Sequence, residues 1–454
     1  MNTSKDKIII GNCSGFYGDR LSAAKDMVDG GPIDVLTGDY LAELTMTILY
    51  NQRMQRGDDQ GYVGTFLKQF RDVAKTCQEK DIKIVTNAGG LNPSSMAKQI
   101  EEITAELNLD LKVAYIDGDD LIPRFEELKA ANEPLNNIEK GISLHDYEKK
   151  PLTANAYFGA WGIKEALDAG ADVVVCPRVT DAAVVIGPAA WKYNWSRDNY
   201  DALAGALAAG HIIECGAQAT GGNYSFFQEV PSFFNIGYPI AEIYEDGSFT
   251  ITKHPDTGGL VSIGTVTAQL LYEIGSPAYI NPDVIGHFDT LKMKQEAEDR
   301  VFVSGCRGSS APKTHKVCVN LAGGFRNGTE ILLTGIDIEE KAKLVTDLIF
   351  ENVGGKEQFD HVDVQLIRTD HQNPNSNEEA QASLRISVMS QNPDLVGRLF
   401  SAKIVELGLA SIPGYTGRSS IPSGPYIQYW PALIDSKFIC LLYTSPSPRD
   451  VSRS

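Results

Sequence analysis

The chain has 454 residues, 43% apolar and 22% charged, enough for a sizeable core and unlike a disordered or collagen-like chain. Its 41 Lys and Arg against 59 Asp and Glu leave a net charge of −18 with no clustered Lys/Arg run, which argues against nucleic-acid and membrane partners. Seven scattered cysteines without a C-x-x-C do not make a disulfide framework. No signal-type apolar stretch of ~7–15 residues opens the chain and no ~18-residue spanning run occurs, so a cytoplasmic location is expected.

From the N-terminus, β-branched runs at 7–10, 33–36, 83–86, 112–116 and 172–176 alternate with helical patterns at 21–28, 40–55, 63–79, 94–107 and 154–167. The runs are almost wholly apolar, as in strands buried on both faces. Gly170 follows the last helix at a C-cap position. This order predicts an α/β fold with a doubly wound, mostly parallel sheet. Another helix is expected at 198–209, closed by Gly210. Segment 216–264 has little period and reads as long loops, with a hairpin at 241–244 and 249–252 around Asp246-Gly247. A helix follows at 266–273. Beyond it, strand patterns at 302–304, 316–321, 330–334, 363–368 and 383–388, with helices at 339–351 and 393–407, indicate a second, smaller α+β unit. The expected units are 1–275 and 276–439. Residues 440–454 read as a foreign Ser/Pro/Arg tail, a translated sequencing adapter on a truncated natural chain.

Several familiar motifs fail. Gly11 to Gly18 runs G-x-x-x-G-x-x-G, which suits either an anion at a helix N-terminus or a plain strand-to-helix turn. Asn87-Ala88-Gly89 echoes short-chain dehydrogenases, but no Tyr has a Lys four residues later. Neither a Walker loop nor H-E-x-x-H occurs. Cys306, His315 and Cys318 lack a fourth zinc ligand. Asp117-Gly118-Asp119-Asp120 reads as a turn with a helix cap or as a divalent-cation site. No cofactor and no metal are expected.

Polar groups converge at the strand exits, where open parallel sheets bind ligands. The exits carry Gly15, Gly18 and Arg20; Asp39; Asn87, Gly89 and Gly90; and Arg178, Thr180 and Asp181. Arg178 is a candidate anion clamp or a solvated salt bridge. Asp39 and Asp181 are candidate acid/base groups, or N-caps. A second cluster holds His211, Glu214 and Cys215, followed by Gly221, Gly222 and Asn223. On one helical turn His211 and Glu214 share a face, with the imidazole as base and the carboxylate fixing its tautomer. Cys215 reads as a nucleophile or, more often, as core. Gly221 to Asn223 look like a substrate-cradling loop.

These segments carry a resemblance. Residues 15–20 (GFYGDR), 38–46 (GDYLAELTM), 86–93 (TNAGGLNP), 155–163 (NAYFGAWGI), 178–182 (RVTDA), 209–224 (AGHIIECGAQATGGNY) and 258–273 (GGLVSIGTVTAQLLYE) resemble the acyclic terpene utilisation (AtuA-like) family over about 7–435. The resemblance implies a place in the catabolism of acyclic isoprenoids such as citronellol and geraniol, which proceeds through acyl-CoA thioesters. The expected function is therefore an enzyme of isoprenoid or branched-chain acyl-CoA breakdown, of hydratase, lyase or hydrolase type. Asp39, Asp181, His211 and Glu214 would move protons, and the aromatic loop 224–234 would meet the hydrocarbon. The alternatives are a non-catalytic assembly subunit for an acyl-CoA carboxylase and a divergent nucleotide-dependent enzyme. The expected partner is a small molecule, an acyl-CoA; homo-oligomerisation stays open.

Overall fold

The computed structural model describes residues 6–439 and 442–443, so the expected foreign tail lies outside the described residues except at Leu442 and Tyr443. The chain divides into two compact units, Met1–Val319 with Trp430–Ser454, and Asn320–Tyr429. Residues 276–319, read from the sequence with the second unit, fall in the first.

The first unit contains β1 (Lys7–Asn12), β2 (Val35–Gly38), β3 (Lys83–Thr86), β4 (Val113–Asp117), β5 (Pro151–Ala156) and β6 (Val173–Val175). Helices α1 (Ala23–Asp29), α2 (Glu43–Arg56), α3 (Gly64–Lys80), α4 (Pro93–Glu106), α5 (Phe125–Ala130) and α6 (Trp161–Asp168) run between them. Next come α7 (Ala183–Lys192), α8 (Tyr200–Ile213), the hairpin β7 (Pro239–Tyr244) and β8 (Phe249–Lys253), and α9 (Ile263–Leu270). Short strands β9 (Ala278–Ile280), β10 (Ile285–His287), β11 (Lys292–Ala297), β12 (Arg300–Ser304) and β13 (Arg307–Ser309) follow.

One sheet runs β11-β12-β8-β7-β1-β2-β3-β6-β4 and ends on Leu442–Tyr443. Its centre, β1-β2-β3-β6-β4, is parallel. β2 and β6 are buried along their whole length, which is why the sequence shows unbroken apolar runs there. The flanks are antiparallel: β7 pairs β1 with Ile10 opposite Ala241, and β8, β12 and β11 extend that side. The sheet is therefore mixed, not mostly parallel, because the 241–252 hairpin adds to its edge. β5 is a second departure. The helix expected from 154 begins only at Trp161, because 151–156 is drawn out as a strand pairing with Thr314–Thr334.

Helix α8 (YDALAGALAAGHII) is apolar nearly all round and buried from Ala202 to Ile213. Gly205 lets it press on the hairpin turn: a Cβ there would lie 1.9 Å from the Gly247 carbonyl oxygen. That partner is backbone and cannot swing aside. Gly205→Ala should therefore cost at least ~1–3 kcal/mol, read as a lowered urea midpoint.

The second unit orders its strands His361–Arg368, Gln381–Ser390, Thr314–Thr334 and Tyr415–Asp435. Helices Ile338–Glu351 and Phe400–Ala410 bury Val345, Ile349, Phe400 and Ile404 with Ile331, Leu333, Leu384 and Ile386 from the strands. It combines strands and helices around its own core. Among the described residues, no helix is long and apolar enough to cross a membrane.

Candidate active site

Parallel strands deliver their C-terminal ends to one side of a sheet, and here those ends meet the end of α8. Asn12, at the exit of β1, donates from Nδ2 to the carbonyls of Ser14 (2.9 Å), Ile213 (2.6 Å) and Glu214 (3.1 Å). Gly15 lies so close that a Cβ would sit 2.4 Å from the Cys215 carbonyl carbon. The two polar clusters of the sequence thus share one place in the first unit.

Between them lies a cavity of about 680 Å³, within the range of small-molecule sites. Its lining includes buried Asp39, Arg178 and Glu214 and partly exposed Thr180, Asp181 and Cys215. Phe16, Ile138, Tyr272, Ile280 and Leu433 also line it and are exposed, so large apolar side chains frame its mouth. The site is polar inside and apolar at the rim.

Asp39 does not cap α2, whose N-cap is Ala42. Its Oδ1 accepts from Asn87 Nδ2 (2.5 Å) and from the Leu41 amide (3.3 Å). Burial, reinforced by the neighbouring Asp181 and Glu214 carboxylates, holds its pKa well above the usual carboxylate range despite the opposing pull of Arg178. Arg178 is not a solvated pair. It is buried, with Nη1 donating to Asp181 Oδ1 (2.7 Å) and to the Val179 carbonyl (2.8 Å). Its guanidinium stacks on Tyr157, with Cζ 4.1 Å from the ring centre, while Nε is buried without a hydrogen-bond partner. The Tyr157 hydroxyl donates to Glu43 (2.7 Å), which also pairs with Lys316 (3.2 Å). Burial alone would raise the Glu43 pKa, but Tyr157 and Lys316 outweigh it and pull it to about 2.

Glu214 and His211 form a buried pair, Oε1 to Nδ1 3.1 Å. The imidazole packs on Tyr279, ring centres 4.9 Å apart. Burial pushes Glu214 up to about 7 against the pull of His211. Burial lowers the imidazole's own pKa, but Glu214 outweighs that and the net shift is upward. The pair therefore retains a proton near neutrality. Glu214 lines the cavity whereas His211, 1% exposed, stands behind it. The carboxyl is thus the member of the pair that faces the cavity, held there by the imidazole. Burial and the surrounding carboxylates push the Cys215 thiol far up, which opposes a thiolate nucleophile.

Asp39, Asp181, Glu214, Gly15, Arg178 and Thr180 line the cavity. Asn87 stands behind Asp39. Arg20 faces a separate cavity of about 290 Å³ with Tyr238 and His254. Gly18 has only the Phe16 ring nearby; Gly89 abuts the Cys176 carbonyl, and Gly90 the Leu49 side chain. Gly221 packs on Val230 and Gly222 on the Ala217 carbonyl, while Asn223 donates to Gln218. None of these lines the main cavity, nor does any residue of the 224–234 loop, whose Phe226, Phe227 and Phe234 are exposed elsewhere. Asp181 precedes the Ala182 N-cap of α7. In the Asp117 cluster, Asp117 and Asp120 accept from the Gly118 and Ile122 amides, and buried Asp119 accepts from Asn155 (2.8 Å). Among the described residues, no three His, Cys, Asp or Glu side chains come together to hold a metal ion. Glu43, Tyr157, Lys316, Glu273, Tyr279 and Asn281 line the cavity without having been singled out. Glu43, Tyr157 and Glu273 lie inside three of the quoted motifs; Lys316, Tyr279 and Asn281 carry no local signal.

Burial holds Asp39 well up, Asp119 at about 8 and Glu214 at about 7. Between about pH 4 and pH 8 the folded state thus binds more protons than the unfolded chain, and stability falls as pH rises. The urea midpoint should drop from about pH 5 to about pH 8, with a shallower slope in Asp119→Asn. A flat wild-type profile would contradict these burial shifts.

The fold and site define a mixed α/β protein with an acid–base cavity at the ends of its parallel strands. The chain belongs to the acyclic terpene utilisation family: the family described as "Acyclic terpene utilisation family protein AtuA" matches residues 8–440. No curated protein matches the chain.

Proposed function

We propose that the protein is a cytoplasmic enzyme of acyclic isoprenoid breakdown that adds water to, or removes it from, a branched acyl chain carried as a CoA thioester. The observation behind this reading is the pairing, in one cavity, of a buried carboxyl whose pKa is held well above the usual range with a second pushed up to about 7. Asp39 serves as the acid. Glu214, oriented by His211, takes or returns the proton of water. The apolar rim of Phe16, Ile138, Tyr272, Ile280 and Leu433 receives the hydrocarbon. The volume accommodates the acyl end and leaves the CoA nucleotide outside. A hydrolase using Cys215 is less well supported, because its thiol stays protonated.

The test is turnover of branched acyl-CoAs in ¹⁸O-labelled water, with label expected in the hydroxyl of the product. Glu214→Gln should lower kcat about 10²-fold or more while changing KM little. Unchanged kcat in that variant sinks the assignment, and a lack of turnover across saturated and unsaturated branched acyl-CoAs sinks the reading. A second reading, an assembly subunit for an acyl-CoA carboxylase, draws on exposed Phe226, Phe227, Phe233 and Phe234, an apolar surface of the kind used for partners. Co-purification with carboxylase subunits, lost on Phe234→Ser, distinguishes it.

A further inference from the structure

We propose that Asp181 closes the cavity to free carboxylates by occupying the Nη1 edge of Arg178, so that the site accepts its branched acyl substrate only as an ester or thioester, whose acyl group carries no charge. This rests on the reading of the cavity as an acyl site. The lining holds five carboxyl side chains, Asp39, Glu43, Asp181, Glu214 and Glu273, against two cations, Arg178 and Lys316. Both cations are engaged within the site: Arg178 with Asp181 at 2.7 Å and Lys316 with Glu43 at 3.2 Å. The same two cations pack on Tyr157, with Arg178 Cζ at 4.1 Å and Lys316 Nζ at 4.8 Å from the ring centre.

A free carboxylate entering this space would meet the Asp181 and Glu43 carboxylates beside the two cations they already engage, in a partly desolvated setting where repulsion is poorly screened. To gain the Nη1 edge of the guanidinium it would have to displace Asp181, which is tethered three residues along the same chain and enjoys a high local concentration. The acyl group of a thioester or ester of the same acid carries no charge and meets no such barrier. Its carbonyl needs one donor, and Asp39, whose raised pKa favours the protonated form, supplies it. The consequence for the reaction sequence follows. A branched acid becomes a substrate only after an acyl-activating reaction has converted its carboxylate into a thioester, and hydrolysis of that thioester removes it from the site. The excess of acid and the aromatic wall also suit the opposite charge, so a primary ammonium on the same chain should be held.

The experiment is calorimetric titration of the full chain with three ten-carbon branched acyclic probes: the carboxylate, its methyl ester and the corresponding primary amine. In wild type the ester should bind at least about tenfold more tightly than the carboxylate, and the amine at least as tightly as the ester. Asp181→Asn should raise carboxylate affinity at least about tenfold by freeing Arg178, whereas Asp181→Glu, which keeps the charge, should not. The gain in one variant and not the other separates a selectivity role from general loosening, and melting curves of both check the fold. A carboxylate that binds wild type as tightly as the ester overturns the proposal, as does an Asp181→Asn protein with unchanged selectivity. Failure of all three probes overturns it too. Acyl-CoA turnover in ¹⁸O-labelled water reads the hydratase assignment separately, so the two can fail independently.

Discussion

Asp39→Asn should leave the protein folded and slow turnover by about 10²-fold or more. The substitution is nearly isosteric, and burial and two nearby carboxylates already oppose ionisation of the group it replaces. Little electrostatic stability is lost, and part of the decline with rising pH should vanish, since one group that releases its proton on unfolding is gone. The catalytic loss has a different origin: an amide cannot hand over the proton that the carboxyl carries. Stopped assays at saturating substrate together with a melting curve separate the two effects. A variant with wild-type kcat would remove Asp39 from the mechanism.

Arg178→Ala is expected to be the most damaging single change to stability among the cavity residues, costing about 3 kcal/mol, the lower end for breaking a buried ion pair. Three contributions are lost together: the pair to Asp181, the hydrogen bond to the Val179 carbonyl and the stacking on Tyr157. Asp181 is 32% exposed and can be rehydrated, which keeps the loss at that lower end. Removing the guanidinium also withdraws the charge that lowers the Asp39 pKa, so Asp39 should rise further. Urea titration at constant pH measures the first effect, and the pH dependence of kcat the second. An Arg178→Ala midpoint equal to that of wild type would mean that the pair is energetically idle.

The parallel strands were legible in the sequence because both of their faces are buried, and β3 is read to the residue as Lys83–Thr86. Strand β11 was not, since KMKQEA is exposed along almost all of its length and carries no apolar pattern. Strand β5 ends in Ala154 to Ala156, whose residue types fit a helix; pairing with a strand more than 150 residues away decides otherwise. Asp39, Asp181 and Glu214 could be singled out because each follows or ends an element beside a polar turn. Lys316 and Tyr279 could not, because they reach the cavity from separate strands and have no motif around them. The order of Glu214 and His211 was also hidden. Helix α8 is apolar on nearly every face, so periodicity does not say which side of its last turn meets the cavity.

The division of the chain bears on how the family can diversify. The second unit, Asn320–Tyr429, is an excursion between two stretches of the first, and the chain leaves and returns through neighbouring strands, Thr314–Thr334 and Tyr415–Asp435. Every residue lining the cavity lies in the first unit, Leu433 included. A segment with adjacent ends behaves as a cassette: it can lengthen, shrink or be exchanged during evolution without moving a side chain of the cavity. Family members should accordingly share the chemistry encoded by the outer segments while differing freely in the inserted one, and the two parts of the gene face separate selection.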